Sequence, residues 1–258
     1  NLSGVNAVPL IYNSMSGNTN PFDPAHLVSP GADIEANLAI AGYGRTFTLF
    51  DRAAMLAVLL PMGNLSGEVT AAGQTVAQTA RGFGDPTIEL NVNLIGPKAQ
   101  TNLADPLRYQ PGFSLDLIVD LAVPIGEYDD SRSLNLSQNR WYGRVGAPIV
   151  WQLGPWVPGR RTTLEFLPAV WLFGTNDDYV GQTLETDPMF QLDAHLTRDF
   201  TSQLWGSLDG SWYQGGKATL DGVEGEALDN LAFGLTLGYQ LNADLGLTVG
   251  YKSTVADS

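Results

Sequence analysis

The groups in this chain best able to do chemistry are carboxylates, and many alternate with apolar residues. Asp33, Glu35, Asp85, Glu89, Asp116, Asp120, Glu165, Asp193 and Asp209 fall on the polar side of segments whose other side is aliphatic or aromatic. The bases that meet them are few, mainly Arg140, Arg144 and Lys252. Opposed charged walls around a narrow passage set up a transverse field, which is the physical basis of a selectivity filter. These acids, His195 and an arginine ladder at Arg140 and Arg144 are therefore the expected lining of an acidic pore with a weak preference for cations. The same residues would also serve as an ion-pair network filling a barrel, or as the solvated face of a soluble protein.

Other chemistries find less support. His195 lies two residues from Asp193 on the same face, but a hydrolase needs a serine activated by such a histidine. There is no Gly-x-Ser-x-Gly elbow, and His26 and His195 are the only histidines. Cysteine is absent, which removes disulfides, thiolate metal sites and cysteine nucleophiles. The loop acids Asp129, Asp130, Asp177 and Asp178 match no EF-hand spacing and read as solvated loop charge. No enzyme activity, metal or cofactor is expected. A net charge of −14 with scattered basic residues argues against a nucleic-acid partner.

The elements that position these groups are strands. From Phe113 to Val123, Phe113, Leu115, Leu117, Val119, Leu121 and Val123 share one face, and Asp116 and Asp120 lie on the other. Similar segments lie near 5–16, 32–43, 53–66, 82–95, 112–126, 140–154, 161–176, 187–199, 203–220, 227–240 and 243–256. Ordinary strands run about 5–6 residues, whereas a tilted strand needs about 9–11 to cross a bilayer. The longest apolar run, near Ala53–Met62, is too short for a membrane helix.

Short connections such as Asp199–Ser202 and Leu241–Ala243 interleave with long polar ones such as Gly17–Gly31 and Tyr128–Asn139, Gly96–Pro111 being the exception. Trp141, Trp151, Trp156, Trp171, Trp212, Tyr43, Tyr213, Tyr239 and Tyr251 fall mostly near strand ends, as interfacial girdles do. The expected fold is all-β, a transmembrane antiparallel up-and-down barrel forming a single domain over residues 1–258.

Eleven segments are visible, and bacterial barrels use even numbers. The expectation is twelve strands, the last lying after Ser258, and Asn1-Leu2-Ser3-Gly4 reads as the start of a processed chain. Residues 1–30 are expected to form a first strand plus loop, or in part a lumenal plug. Pro148 and Pro168 fall inside strands, where a missing donor leaves either a tolerated bulge or a lateral opening in the wall.

Gly82-Phe83-Gly84-Asp85, Pro124-Ile125-Gly126-Glu127-Tyr128-Asp129 and Asn139-Arg140-Trp141 resemble segments of the phenol-degradation (meta-pathway) outer-membrane protein family. The resemblance covers roughly residues 80–155, with a weaker likeness at Asn6–Ser14. It implies a proteobacterial outer-membrane β-barrel channel admitting small, often hydrophobic or aromatic, molecules, and supplies no catalytic residues. The expected function is passive uptake through a narrow charged lumen or a lateral opening. The expected surroundings are outer-membrane lipid and lipopolysaccharide, the expected partners small-molecule solutes, and the expected state a monomer. The alternative is a soluble or surface-attached all-β ligand-binding protein that buries the apolar faces in its own core. Alternation alone does not separate the two, because it does not say which face points outward.

Overall fold

The structure, a computed structural model, describes residues 2–17, 20–24, 32–71, 74–100, 112–242 and 245–256. Alternating residues make strands wherever the alternation persists. In chain order these are β1 (Asn6–Ala7), β2 (Leu10–Gly17), β3 (Ala32–Leu49), β4 (Arg52–Ala71), β5 (Gln74–Phe83), β6 (Thr87–Ile95), β7 (Phe113–Ala122), β8 (Tyr142–Gly146) and β9 (Ile149–Gln152). They continue as β10 (Thr162–Phe173), β11 (Asn176–Tyr179), β12 (Gln182–Thr186), β13 (Met189–Asp199), β14 (Leu204–Gly215), β15 (Ala218–Leu220), β16 (Val223–Glu224), β17 (Leu228–Gln240) and β18 (Gly246–Ala256).

Fourteen of these strands form one antiparallel sheet in which neighbours in sequence are neighbours in space. β1 with β2, β5 with β6, and β8 with β9 are single ribbons broken by a bulge, so the wall consists of eleven ribbons. The β3–β4 hairpin runs in register from Ala32↔Val69 to Leu49↔Arg52. It closes on Phe50 and Asp51, both at positive φ, the turn whose twist matches that of the flanking strands. Among the described residues no ladder joins β18 to β1 or β2, so the twelfth ribbon is not seen. The short β11, β12, β15 and β16 pair separately, within the connections at the end opposite the tight turns.

The direction of the apolar face is visible on β7. Phe113 and Leu121 are 43% and 42% exposed, whereas Ile118, Asp120 and Ala122 are 8%, 6% and 1% exposed. Across the other side of the wall Leu208, Phe233, Leu235 and Leu237 are all exposed, while Gln191, Ser207 and Ser211 are buried. A water-soluble sandwich would show the reverse, since exposed aliphatic surface is unfavourable in water and buried polar groups cost free energy unless paired. The wall is apolar outside and polar inside, as a membrane barrel requires. Among the described residues no helix is long and apolar enough to cross a membrane, which says nothing of strands.

Residues 6–17 form the first ribbon of the wall, β1 and β2 pairing with β3, in keeping with the first-strand reading of residues 1–30; residues 25–31 lie outside the described set. Both prolines lie in paired wall, in keeping with the bulge reading. Pro148 sits in the bulge between β8 and β9, where its carbonyl accepts from Asp116 N at 2.8 Å. Pro168 lies in the β10–β13 ladder opposite Leu192, and its carbonyl accepts from Ala147 N at 2.9 Å. Proline lacks a donor but keeps its acceptor, so the pairing continues on both sides as a bulge. Trp171 and Tyr213 do not belong to an outer girdle, because their strands turn them inward beside Arg144 and opposite Gln191, respectively. Trp141, Trp151, Tyr43, Tyr239 and Tyr251 remain exposed.

Candidate functional site

The interior is closed towards the long connections by the segment 123–141, which folds inward rather than over the rim. Asn135 shapes it: its side chain accepts from Asp129 N at 2.8 Å and donates to the carbonyls of Asp129 and Arg132 at 3.1 and 2.8 Å. Leu136 then enters an apolar cluster with Phe22, Ile34, Ala36, Leu38 and Leu65. Asn20 Nδ2 donates to Asn135 O at 3.1 Å and Gln138 Nε2 to Phe22 O at 3.3 Å, joining residues 20–24 to the same body. Together these two segments form a plug.

Asp85 clamps the plug to the wall from the break between β5 and β6. It is 1% exposed and accepts from Ser137 Oγ at 2.6 Å, Gln138 N at 2.8 Å and Gly126 N at 3.1 Å. The approach depends on glycine. A Cβ on Gly126 would lie 2.5 Å from the Gly84 carbonyl carbon and 2.9 Å from Asp85 N, both backbone atoms that cannot swing aside. Gly126→Ala is therefore expected to lift the segment off the wall, and limited proteolysis of the folded protein should then cut between residues 123 and 141. An unchanged digestion pattern would show that the contact is not needed.

Arg140 closes the plug from the other side. Its guanidinium is 2% exposed, donates from Nη1 to Thr186 Oγ1 at 2.7 Å, and stacks 5.0 Å from the Phe173 ring centroid. Burial pushes it below the ordinary arginine value, and the Asp23 carboxylate pulls it back. Asn176 ties in the next connection by donating to Tyr128 Oη at 2.9 Å and Gln138 O at 3.1 Å.

Beneath the plug, four adjacent ribbons place Glu89, Asp120, Arg144 and Trp171 in one row across the inner wall. Arg144 donates from Nε to Asp120 Oδ2 at 2.7 Å, with Nη2 at 2.6 Å from the same oxygen. Its guanidinium carbon sits 5.1 Å from the Trp171 ring centroid, and Trp171 Nε1 donates to Gln191 Oε1 at 2.6 Å. Asp120 Oδ1 is buried without a protein hydrogen-bond partner. These groups, with Ile40, Leu59 and Tyr142, line a cavity of about 210 Å³. It is a narrow charged chamber with an indole on one side.

Towards the tight turns the lining stays polar. His195 Nδ1 lies 2.7 Å from Asp209 Oδ1, and Asp209 also accepts from Ser207 Oγ at 2.7 Å and Thr236 Oγ1 at 2.5 Å. The histidine's partner is thus Asp209 across the ladder, not Asp193, which accepts from Gln191 Nε2. Ser207 donates to the carboxylate rather than to the imidazole, so no nucleophile–base pair exists here. Asp116 accepts from Asn93 Nδ2 at 2.6 Å, and Glu165 faces a vestibule of about 390 Å³ with Arg161, Asp199 and Trp205.

The expected lining residues therefore divide. Glu89, Asp116, Asp120, Arg144, Glu165, Asp193, His195 and Asp209 share the inner face. Asp33 and Glu35 do not, because on that stretch of β3 the inner face is taken by Ile34, Ala36 and Leu38 against the plug, leaving the acids exposed. Asp85 and Arg140 hold the plug instead of lining an open passage, and Arg140 forms no ladder with Arg144. The four loop acids show no shared site: Asp129 bonds Ser131 and Arg132, and the Ser131 hydrogen bonds hold its carboxyl below the ordinary value. Residues that sequence patterning passed over are Asn135, Ser137, Gln138 and Asn176, and Trp171 was given a different role. The signal that pointed near them was the trio of family-like segments, all of which meet at the plug.

An up-and-down antiparallel wall, apolar outside and charged within, and closed by an inward-folded connection defines the class: a β-barrel of the membrane-spanning type. The chain belongs to the family described as "Putative MetA-pathway of phenol degradation", which it matches over residues 13–258. Its fold is similar to that of the COG4313 outer membrane channel from Pseudomonas putida F1, with a TM-score of 0.73 and 20% identity over 99% of this chain and 89% of that one. No curated protein matches the sequence significantly.

Proposed function

We propose that the protein is a passive outer-membrane channel for uptake of small molecules, with the solute passing the plug and then the Glu89–Asp120–Arg144–Trp171 row. The observation that carries this reading is the polarity of the wall. Exposed leucines and phenylalanines surround an interior in which a chamber of about 210 Å³ holds two carboxylates, a guanidinium and an indole. The indole and the flanking Ile40 and Leu59 suit a small solute with an apolar or aromatic body and a polar end, consistent with the phenol-degradation description of the family. The backbone pairing kept at Pro148 and Pro168 favours the lumen over a lateral route.

Carboxylates outnumber cations along the described lumen, where Glu89, Asp116, Asp120, Glu165, Asp193, Asp199 and Asp209 face chiefly the guanidiniums of Arg144 and Arg161. Single channels in planar bilayers are therefore expected to be cation-selective, with a reversal potential in a salt gradient displaced towards that of the cation. Anion selectivity would contradict the assigned lining. A monomer in contact with lipid and lipopolysaccharide is the proposed state. It should need detergent to stay in solution and migrate differently on unheated gels, whereas solubility without detergent would refute the membrane reading.

A further inference from the structure

One part of the outer wall differs from the rest. Ala194, Gly206 and Gly210 are small residues on the lipid-facing side of β13 and β14, where most neighbours are leucine or phenylalanine. They leave two depressions, of about 580 and 340 Å³, that share Leu196, Leu208 and Leu235 and so form one groove. The groove runs from mid-wall to the tight-turn end, where the Phe200 ring lies over Gly206 and the lining includes Arg198.

The charge at that end runs against the composition of the chain. Arg198 is exposed and held in place by donating from Nη1 to Arg160 O at 2.9 Å and Thr162 Oγ1 at 2.5 Å. Arg160 beside it is exposed as well. Among the described residues neither forms an ion pair. The nearest acid in sequence, Asp199, is turned inward to Arg161 at 2.7 Å and is 8% exposed. In a chain of net charge −14, an apolar groove thus ends at the Arg198 guanidinium, with exposed Arg160 next to it and, among the described residues, no carboxylate paired with either.

We propose that this groove is a binding site for an anionic phospholipid of the periplasmic leaflet, with an acyl chain along Leu196, Leu208 and Leu235 and the phosphate at Arg198 and Arg160. Tight turns of such barrels face the periplasm, which places the arginines at the headgroup level of that leaflet. Guanidiniums bind phosphate through paired N–H donors, and the groove supplies the apolar surface for the chain. The site rests on the outward-facing wall described above.

The test uses the full folded chain in nanodiscs of mixed phosphatidylcholine and phosphatidylglycerol, released in mild detergent and weighed by native mass spectrometry. Phosphatidylglycerol should be retained preferentially. The preference should fall about fivefold for each of Arg160→Gln and Arg198→Gln, the magnitude of one surface arginine against anionic lipid, with Arg52→Gln as an unaffected control. Heat-modifiable gel mobility shows that each variant is folded. Equal retention of the two lipids, or a preference indifferent to both substitutions, would overturn the site. Arginine-dependent displacement of phosphatidylglycerol by added lipopolysaccharide would overturn the phospholipid assignment. Failure to enter nanodiscs at all would instead strike the membrane reading itself.

Discussion

Asp85→Ala is expected to turn a quiet channel into a conducting one. The carboxylate accepts hydrogen bonds from three parts of the plug segment, Gly126 N, Ser137 Oγ and Gln138 N, and is the one buried charge among the described wall residues that does so. Hydrogen bonds to a charged group contribute about 1.5–3 kcal/mol each. Losing this clamp should therefore weaken the closed state by roughly 3 kcal/mol, which shifts the open–closed equilibrium about a hundredfold. The wall itself is untouched, since the β4–β6 and β6–β7 ladders do not pass through Asp85. Planar-bilayer recordings should show longer and larger openings, and Asp85→Asn should be intermediate because its amide still accepts. Wild-type conductance in Asp85→Ala would mean that the plug is held elsewhere.

Arg144→Ala is expected to have the second-largest effect, on both stability and selectivity. Arg144 and Asp120 form a nearly buried pair, with side chains 17% and 7% exposed. Removing one partner of such a pair leaves the other charge uncompensated and costs about 3–5 kcal/mol. Here the stranded groups would be Asp120 and, next along the row, Glu89. The unheated gel band should lose its folded form at a lower temperature. Channels that still fold should become more cation-selective, because two carboxylates would then face the chamber alone. Unchanged selectivity would move the filter away from this row. Asp120→Asn in the Arg144→Ala background should recover much of the lost stability, which separates a charge effect from a packing effect.

The wall was legible because alternation is a local property. Phe113 to Ala122 reads as a strand from its alternation alone, and the eleven ribbons follow from the same rule repeated. The orientation of the faces was not legible, since apolar-in and apolar-out barrels share one binary pattern. A plug from residues 1–30 is one of the sequence's own readings, but the larger share contributed by residues 123–141 is hidden for a different reason. Its contacts are made by loop residues with no periodicity, among them Asn135, Ser137 and Gln138, whose partners lie about fifty residues away in Asp85 or more than a hundred away in Asn20 and Phe22. The same hidden body explains the errors at Asp33 and Glu35. Where Leu136 and Phe22 fill the interior, the inner face of β3 becomes apolar, and the usual assignment of carboxylates to the lumen inverts. Trp171 was read as an interfacial tryptophan because its place near the end of a strand fits either role, and only the Arg144 and Gln191 contacts show that it belongs to the chamber.

The account depends on which face of the ribbon meets lipid, and the chain makes this directly measurable because it contains no cysteine. Single cysteines at Leu121, Leu208 and Phe233 on one face, and at Asp116 and Ser211 on the other, carry a fluorescent label in protein reconstituted into lipid vesicles. Quenchers attached to lipid acyl chains should extinguish the first three and leave the other two, and a water-soluble quencher should do the opposite. Lipid quenching at Asp116 and Ser211 with protection at Leu121, Leu208 and Phe233 would contradict the outward-facing wall, and the channel with it.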